Sequence, residues 1–237
     1  MRKVRQDLRV TNALAGSSGA SIPDTCVLDM DGTLLDLYFD SQVWNECLPR
    51  HYGQRSGLSE SAAREHVEQV LTRQRGTLTW YCFEHWSRVF RLELTQIEYE
   101  LRHLITVRPG VTEFLEALQA RGIRAVLATN AHPKSLLRKL EITGIGRYFD
   151  AIVSSHEFGY AKEHQKFWSG FAERYRIGLE RTLFIDDNLA VLLAAQRFGI
   201  RDLYGIALPN SRGERLNHEG FECLENFSDL THRLMTS

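Results

Sequence analysis

The chain has 237 residues, 43% of them hydrophobic and 25% charged, enough apolar material for one substantial core with a smaller module beside it. Lysine plus arginine total 29 against 30 for aspartate plus glutamate, a formal net charge of -1. No global field therefore draws the chain to nucleic acid or to an acidic membrane surface, and any anion must be bound locally. The four cysteines, Cys26, Cys47, Cys82 and Cys223, have no CxxC spacing, the usage expected of a reduced cytoplasmic protein.

Residues 1–20 are polar and end in small residues. They lack both the apolar stretch of a signal peptide and a membrane span, and read as a loosely held tail. Short apolar runs then recur: "TCVLD" (Thr25 to Asp29), "RAVLAT" (Arg124 to Thr129), "AIVSS" (Ala151 to Ser155), "TLFID" (Thr182 to Asp186) and "DLYGIA" (Asp202 to Ala207). They are dense in Val, Ile and Leu without strict alternation, as strands covered on both faces are. Between them lie helical patterns. Phe114, Leu115 and Leu118 form one stripe; Pro133 opens a helix that Gly144 stops; Asn188 caps another that ends at Gly199. Strand and helix alternate, which predicts an α/β fold with a doubly wound parallel sheet.

From Asp40 to Thr106 no strand-like run occurs, and four helical patterns follow one another, the last opened by a Thr95/Glu98 capping box. The expected organisation is a tail (1–20), a core (21–39 and 107–237) and an all-helical cap (40–106) inserted after the first strand. Such an insert sits above the carboxyl ends of the strands, where open α/β sheets bind ligands and a lid excludes water.

The strand ends carry the polar residues. Asp29, Asp31, Gly32 and Thr33 follow the first run, Thr129 and Asn130 end the second, Lys162 follows the third, and Asp186 and Asp187 end the fourth. Asp29 and Asp31 so close together call for a metal, a proton-sharing pair or a turn. Taken singly, an Asp after a strand is a cap or turn residue and a lone Lys a surface charge. Taken jointly, the alternation makes them neighbours. A calcium loop fails, because its sixth and twelfth positions would be Leu34 and Asp40. None of the nine histidines has finger-like spacing to cysteine; Cys82 and His85 could share a helix face, where packing explains them.

In this order, "DMDGT", "LATN", the Lys162 loop and "FIDD" resemble the four motifs of the haloacid-dehalogenase-like phosphohydrolases, over about Asp24 to Pro209. The helical insert is similar to that family's first-type cap. "LTWYCFEHW", "TNAHP" and "FGYAKEHQ" look more narrowly like its GMP/IMP nucleotidase branch, with Ala161 where that branch usually has a Pro before the lysine.

The resemblance implies a Mg2+-dependent phosphomonoesterase. Asp29 is the nucleophile that forms an aspartyl-phosphate. Asp31 is the proton carrier, with its working pKa raised while Asp29 stays ionised. Thr129, with the Asn130 backbone amide, holds phosphoryl oxygens and Lys162 balances charge. The metal set is the Asp29 side chain, the Asp31 main-chain carbonyl and Asp187, with Asp186 in or next to it. Thr33 is divided between closing the turn and contacting substrate. The implied substrate is a purine nucleoside 5′-monophosphate, IMP and GMP before AMP. Of Trp44, Trp80, Tyr81, Phe83, Trp86 and Phe90, most are expected in the cap's own core and the surplus to face a base. Arg73, Arg75, Glu84 and His85 are candidates to read its edge. A phosphomutase or sugar-phosphate phosphatase and a non-catalytic phosphate binder are the alternatives, separated by net phosphate release. A dehalogenase is disfavoured by the second Asp.

Overall fold

The structure, a computed structural model, describes residues 22–236; the expected tail over residues 1–20 lies outside the described residues. Six strands form one parallel sheet: β1 (Thr25–Leu28), β2 (Arg124–Thr129), β3 (Ala151–Ser154), β4 (Thr182–Ile185), β5 (Asp202–Ile206) and β6 (Glu222–Leu224), in the order β3-β2-β1-β4-β5-β6. The first five fall on the apolar runs, within a residue or so at their ends. The chain leaves β1 in one direction for β2 and β3 and in the other for β4 and β5. The crevice beyond β1 and β4 is therefore the switch point where such sheets bind ligands.

The helices are α1 (Tyr38–Ser41), α2 (Leu48–Ser56), α3 (Glu60–Thr72), α4 (Phe83–Phe90), α5 (Leu94–Glu100), α6 (Val111–Ala120), α7 (Pro133–Thr143), α8 (Gln165–Tyr175), α9 (Leu189–Phe198) and α10 (Ser228–Thr236). Alternate strand residues feed two cores. Cys26, Leu28 and Ile185 pack with Phe114 and Leu118 of α6 and Leu230 of α10. Val27, Val126 and Phe184 pack with Phe167 and Phe171 of α8 and Val191 of α9. Period-two alternation divides each strand between two helical layers. Full burial of each such Phe or Leu contributes about 1.5–3 kcal/mol.

Helix ends follow the sequence signals. Pro133 occupies the first turn of α7 and Gly144 ends it at φ 67°, while Asn188 accepts from the Ala190 N–H at 2.9 Å to start α9. The Thr95/Glu98 capping box does not form: Glu93 precedes α5 without a side-chain cap. Glu98 instead points into the protein, where it is 1% exposed, accepts from Ser135 Oγ at 2.6 Å and pairs with Arg138, both on α7. A buried hydroxyl and a part-buried guanidinium on α7 outweigh one local amide for this carboxylate. The sequence pattern also passes over β6 and α10. β6 is a three-residue edge strand without a dense apolar run, and α10 relies on packing against α6.

All elements from α1 to α5 precede α6 and none is a strand. The connections into and out of this helical insert run side by side, with Asp36 N–H donating to Thr106 O at 3.0 Å and Arg108 N–H to Leu34 O at 2.9 Å. Residues Gln42–Cys47, between α1 and α2, form a π-helical segment carrying Trp44, a distortion often found at functional sites. All four cysteines are free, and among the described residues no helix is long and apolar enough to cross a membrane.

Candidate active site

The residues singled out at the strand ends converge. Asp29 extends the ladder one residue past β1, its N–H donating to Ile185 O at 3.0 Å, and Asp186 does the same past β4, donating to Tyr204 O at 3.2 Å. Lys162, 1% exposed, reaches between them: its Nζ pairs with Asp29 Oδ1, donates to Asp186 Oδ2 at 2.7 Å and gives its third hydrogen bond to Ala128 O at 2.9 Å. All three ammonium donors are used, as a buried lysine requires. Burial pulls the Lys162 ammonium down, and Asp186 and Asp29 more than reverse this, so it stays charged.

Asp29, Asp186 and Asp187 offer carboxylate oxygens that all lie within 4.8 Å of one another. Burial pushes Asp29 up to about 7 against the pull of Lys162. Burial, then repulsion from Asp29 and Asp186, raises Asp187 well above the carboxylate range. Three crowded carboxylates against the single Lys162 ammonium leave excess negative charge, which fits a hard divalent cation. Asp186 is already engaged at both oxygens, by Lys162 and by the Asn188 N–H at 2.9 Å. Asp187 makes no hydrogen bond or ion pair among the described residues, which leaves it free to ligate. Gly32 makes room for it: a Cβ there would fall 2.3 Å from Asp187 Oδ2.

Thr129 and Asn130 line the same cavity. Thr129 Oγ1 accepts from the Ala131 N–H at 3.0 Å. The Asn130 side chain is committed elsewhere, with Oδ1 accepting from the Lys162 N–H at 2.9 Å and Nδ2 donating to Glu163 Oε2 at 3.0 Å. With Trp168 Nε1 donating to Lys162 O at 2.7 Å, it fixes the lysine loop that Ala161, unlike a proline, does not pre-set. Thr33 is fully buried, its hydroxyl has no partner among the described residues, and it does not line the cavity.

The cavity, about 570 Å³, opens between the strand ends and the insert. The aromatic cluster divides there. Phe83, Trp86 and Phe90 are buried in the insert's core, whereas Trp44, Trp80 and Tyr81 line the cavity. Of the four edge-reading candidates only Arg75 reaches it, its guanidinium 5.5 Å above the Trp80 ring, and Arg64 and Glu68 of α3 join it. Cys82 meets Glu84 and His132, not His85, which stacks edge-on against Trp86 at 4.8 Å. Lys134 takes Glu84 at 2.6 Å and its N–H points to His132 Nδ1 at 3.4 Å, so these groups already have partners.

Two further residues support the site without having been assigned a role from the sequence, Glu163 within "FGYAKEHQ" and Lys139 outside any motif. Glu163 binds Asn130 and Tyr81, and Lys139 on α7 donates to Asp31 Oδ1 at 2.7 Å and to both Asp40 oxygens at 3.0 Å. The only sequence signal for Lys139 is a lysine at a position whose neighbours, Leu136 and Leu140, face the protein.

Residues 23–199 match the haloacid dehalogenase-like hydrolase family. The chain is 40% identical to GMP/IMP nucleotidase YrfG of Escherichia coli (strain K12) over 212 residues, 90% of this chain and 96% of the relative. It is 23% identical to a phosphorylated carbohydrates phosphatase of Thermotoga maritima, covering 83% and 91%. Its fold matches the crystal structure of a HAD phosphatase from Thermococcus onnurineus with a TM-score of 0.75 at 20% identity, over 89% and 97% of the two chains. With the parallel sheet, the helical insert and the carboxylate-lysine site, these relationships establish that the chain is a member of the haloacid dehalogenase-like hydrolases.

Proposed function

We propose that this hydrolase cleaves purine nucleoside 5′-monophosphates to nucleoside and phosphate through a phosphorylated Asp29. The observation that carries the phosphatase reading is the buried Lys162 clamp on Asp29 and Asp186 at the floor of a cavity that Asp31 also lines. Lys162 holds Asp29 by Oδ1, which leaves Oδ2 to attack phosphorus in line. The P–O bond to the nucleoside breaks as Asp31 gives its proton to the departing alkoxide. Asp31 then takes a proton from water while the water oxygen attacks phosphorus and the Asp29–phosphorus bond breaks, releasing phosphate. Mg2+ held by Asp29, Asp187 and the Asp31 main-chain carbonyl, with Asp186 beside it, supplies charge neutralisation when bound. Lys162, its three donors spent on Asp29, Asp186 and Ala128 O, balances charge, while Thr129 and the Asn130 backbone N–H orient the phosphoryl group.

The nucleotide reading rests on the 40% identity to the Escherichia coli GMP/IMP nucleotidase and is supported by Trp44, Trp80 and Tyr81 facing the cavity. Flat rings favour stacking on a heterocycle, and a polar edge can separate a 6-oxo acceptor from the adenine amino donor. The test is phosphate release from IMP, GMP, AMP, CMP and a sugar phosphate with Mg2+. Preference for IMP and GMP is expected. Equal specificity constants, or preference for the sugar phosphate, would defeat the nucleotidase reading and leave the phosphatase reading standing.

A further inference from the structure

Lys139 stands on α7, outside the motifs at the strand ends, yet it is 1% exposed. Its ammonium donates to Asp31 Oδ1 at 2.7 Å and to Asp40 Oδ1 and Oδ2 at 3.0 Å, with the Phe39 ring 5.0 Å away. Burying a lysine is costly and is sustained only by close pairing. Fastening the insert to α7 does not by itself account for it, because Glu98 already does that through Ser135 and Arg138, within about one turn along the same helix. The bond to Asp31 is the part that fastening leaves unexplained.

We propose that Lys139 is a positioning residue for proton transfer, holding Asp31 by Oδ1 so that Oδ2 faces the reacting phosphoryl group; this rests on the phosphatase reading above. Asp31 Oδ2 makes no hydrogen bond among the described residues and the residue lines the cavity. A carboxylate on a short side chain rotates about two bonds, and a proton carrier must stay within about 2.6–3.2 Å of its target. One fixed oxygen removes most of that freedom. Through Asp40 on α1, the same ammonium ties this orientation to the seating of the insert's first helix.

The test uses full-length wild type, K139M, D40N, the K139M/D40N pair and D31N, with Mg2+ and two substrates. From IMP the inosine departs as an alkoxide that must be protonated; from p-nitrophenyl phosphate the p-nitrophenolate departs without that help. K139M is expected to lose about 10²-fold in kcat on IMP with KM within a few fold. On p-nitrophenyl phosphate it should give a burst of one equivalent of p-nitrophenolate per chain, then slow turnover, because phosphorylation of Asp29 proceeds while the water step lacks its aligned base. D40N keeps Lys139 on Asp31 and should show no burst. K139M/D40N removes one charge of each sign, which protects folding, and should keep the burst. Adding D31N to K139M should cost little more than D31N alone. Equal losses on the two esters without a burst, a D40N time course matching K139M, or K139M and D31N losses that multiply would each overturn the proposal. Wild type that released no phosphate from either ester would overturn the phosphatase reading first, and this inference with it.

Discussion

Tyr81 donates its hydroxyl to Glu163 Oε1 at 2.9 Å, joining the helical insert to the loop that carries Lys162. Glu163 accepts from Asn130 Nδ2 at 3.0 Å through its other oxygen. The strand end of β2, the lysine loop and the insert are thus braced by one carboxylate. Tyr81→Phe removes one bond worth about 0.5–1.5 kcal/mol. It should lower kcat/KM for a nucleotide about 2- to 10-fold, measured by steady-state kinetics. An unchanged value would mean that the brace is not kept during turnover.

Asp29→Asn should abolish turnover while preserving the fold, since the amide is nearly isosteric and only nucleophilicity and metal charge are lost. Asp31→Asn should be severely impaired on nucleotides yet still become phosphorylated by p-nitrophenyl phosphate. Intact mass after rapid quenching separates them, and phosphate found on the Asp29 variant would contradict the assignment.

Chelation should abolish activity, and the stability gained from Mg2+ should depend on pH in a definite direction. In the bare site burial raises Asp29 from 3.8 to about 7, and burial raises Asp186 and Asp187 as well. A carboxyl raised in the folded state holds a proton that the unfolded chain has released, so the metal-free protein loses stability as pH climbs through that window. A cation competes with those protons. The Tm gain with Mg2+ should therefore be larger at pH 7.5 than at pH 5; a gain independent of pH would remove these carboxylates as its origin.

Gly32 sits at φ 85° with room for no more than hydrogen, since a Cβ would lie 2.3 Å from Asp187 Oδ2. Gly32→Ala combines left-handed strain with displacement of that carboxylate. The Mg2+ concentration for half-activation should rise about 10- to 100-fold, as when a ligand's support is lost. An unaltered Mg2+ titration would exclude Asp187 as a ligand.

Trp80 lines the cavity beneath the Arg75 guanidinium. Trp80→Leu should cost a stacked base about 1–3 kcal/mol, roughly 5- to 150-fold in kcat/KM, and leave ribose 5-phosphate unaffected. Equal losses on IMP and ribose 5-phosphate would show that the ring only supports the insert.

The site was legible to the extent that strand ends determine it. Asp29, Lys162, Asp186 and Asp187 follow apolar runs, and a parallel α/β sheet brings successive strand ends to one edge whatever the side-chain details. Trp44, Trp80 and Tyr81 were legible only as surplus aromatics. Their assignment to the cavity, against Phe83, Trp86 and Phe90 in the core, depends on which way short helical segments turn.

Periodicity, helix stops and the order of the motifs are local properties, set by backbone sterics and by the alternation of apolar with polar residues, and they point to the first five strands, to the strand-free run between β1 and β2 and to the carboxylates at the strand ends. Glu98 and Lys139 were decided by the tertiary structure alone. Glu98 stands three residues after Thr95 in a pattern that suits a local cap, yet a carboxylate at that position gains more from Ser135 and Arg138 once α5 packs on α7. Lys139 resembles any helical surface lysine until packing removes its water. Among the described residues Asp31, more than a hundred residues earlier in the chain, and Asp40 then satisfy it, because a buried ammonium must find its partners within hydrogen-bonding reach, however distant they are in sequence.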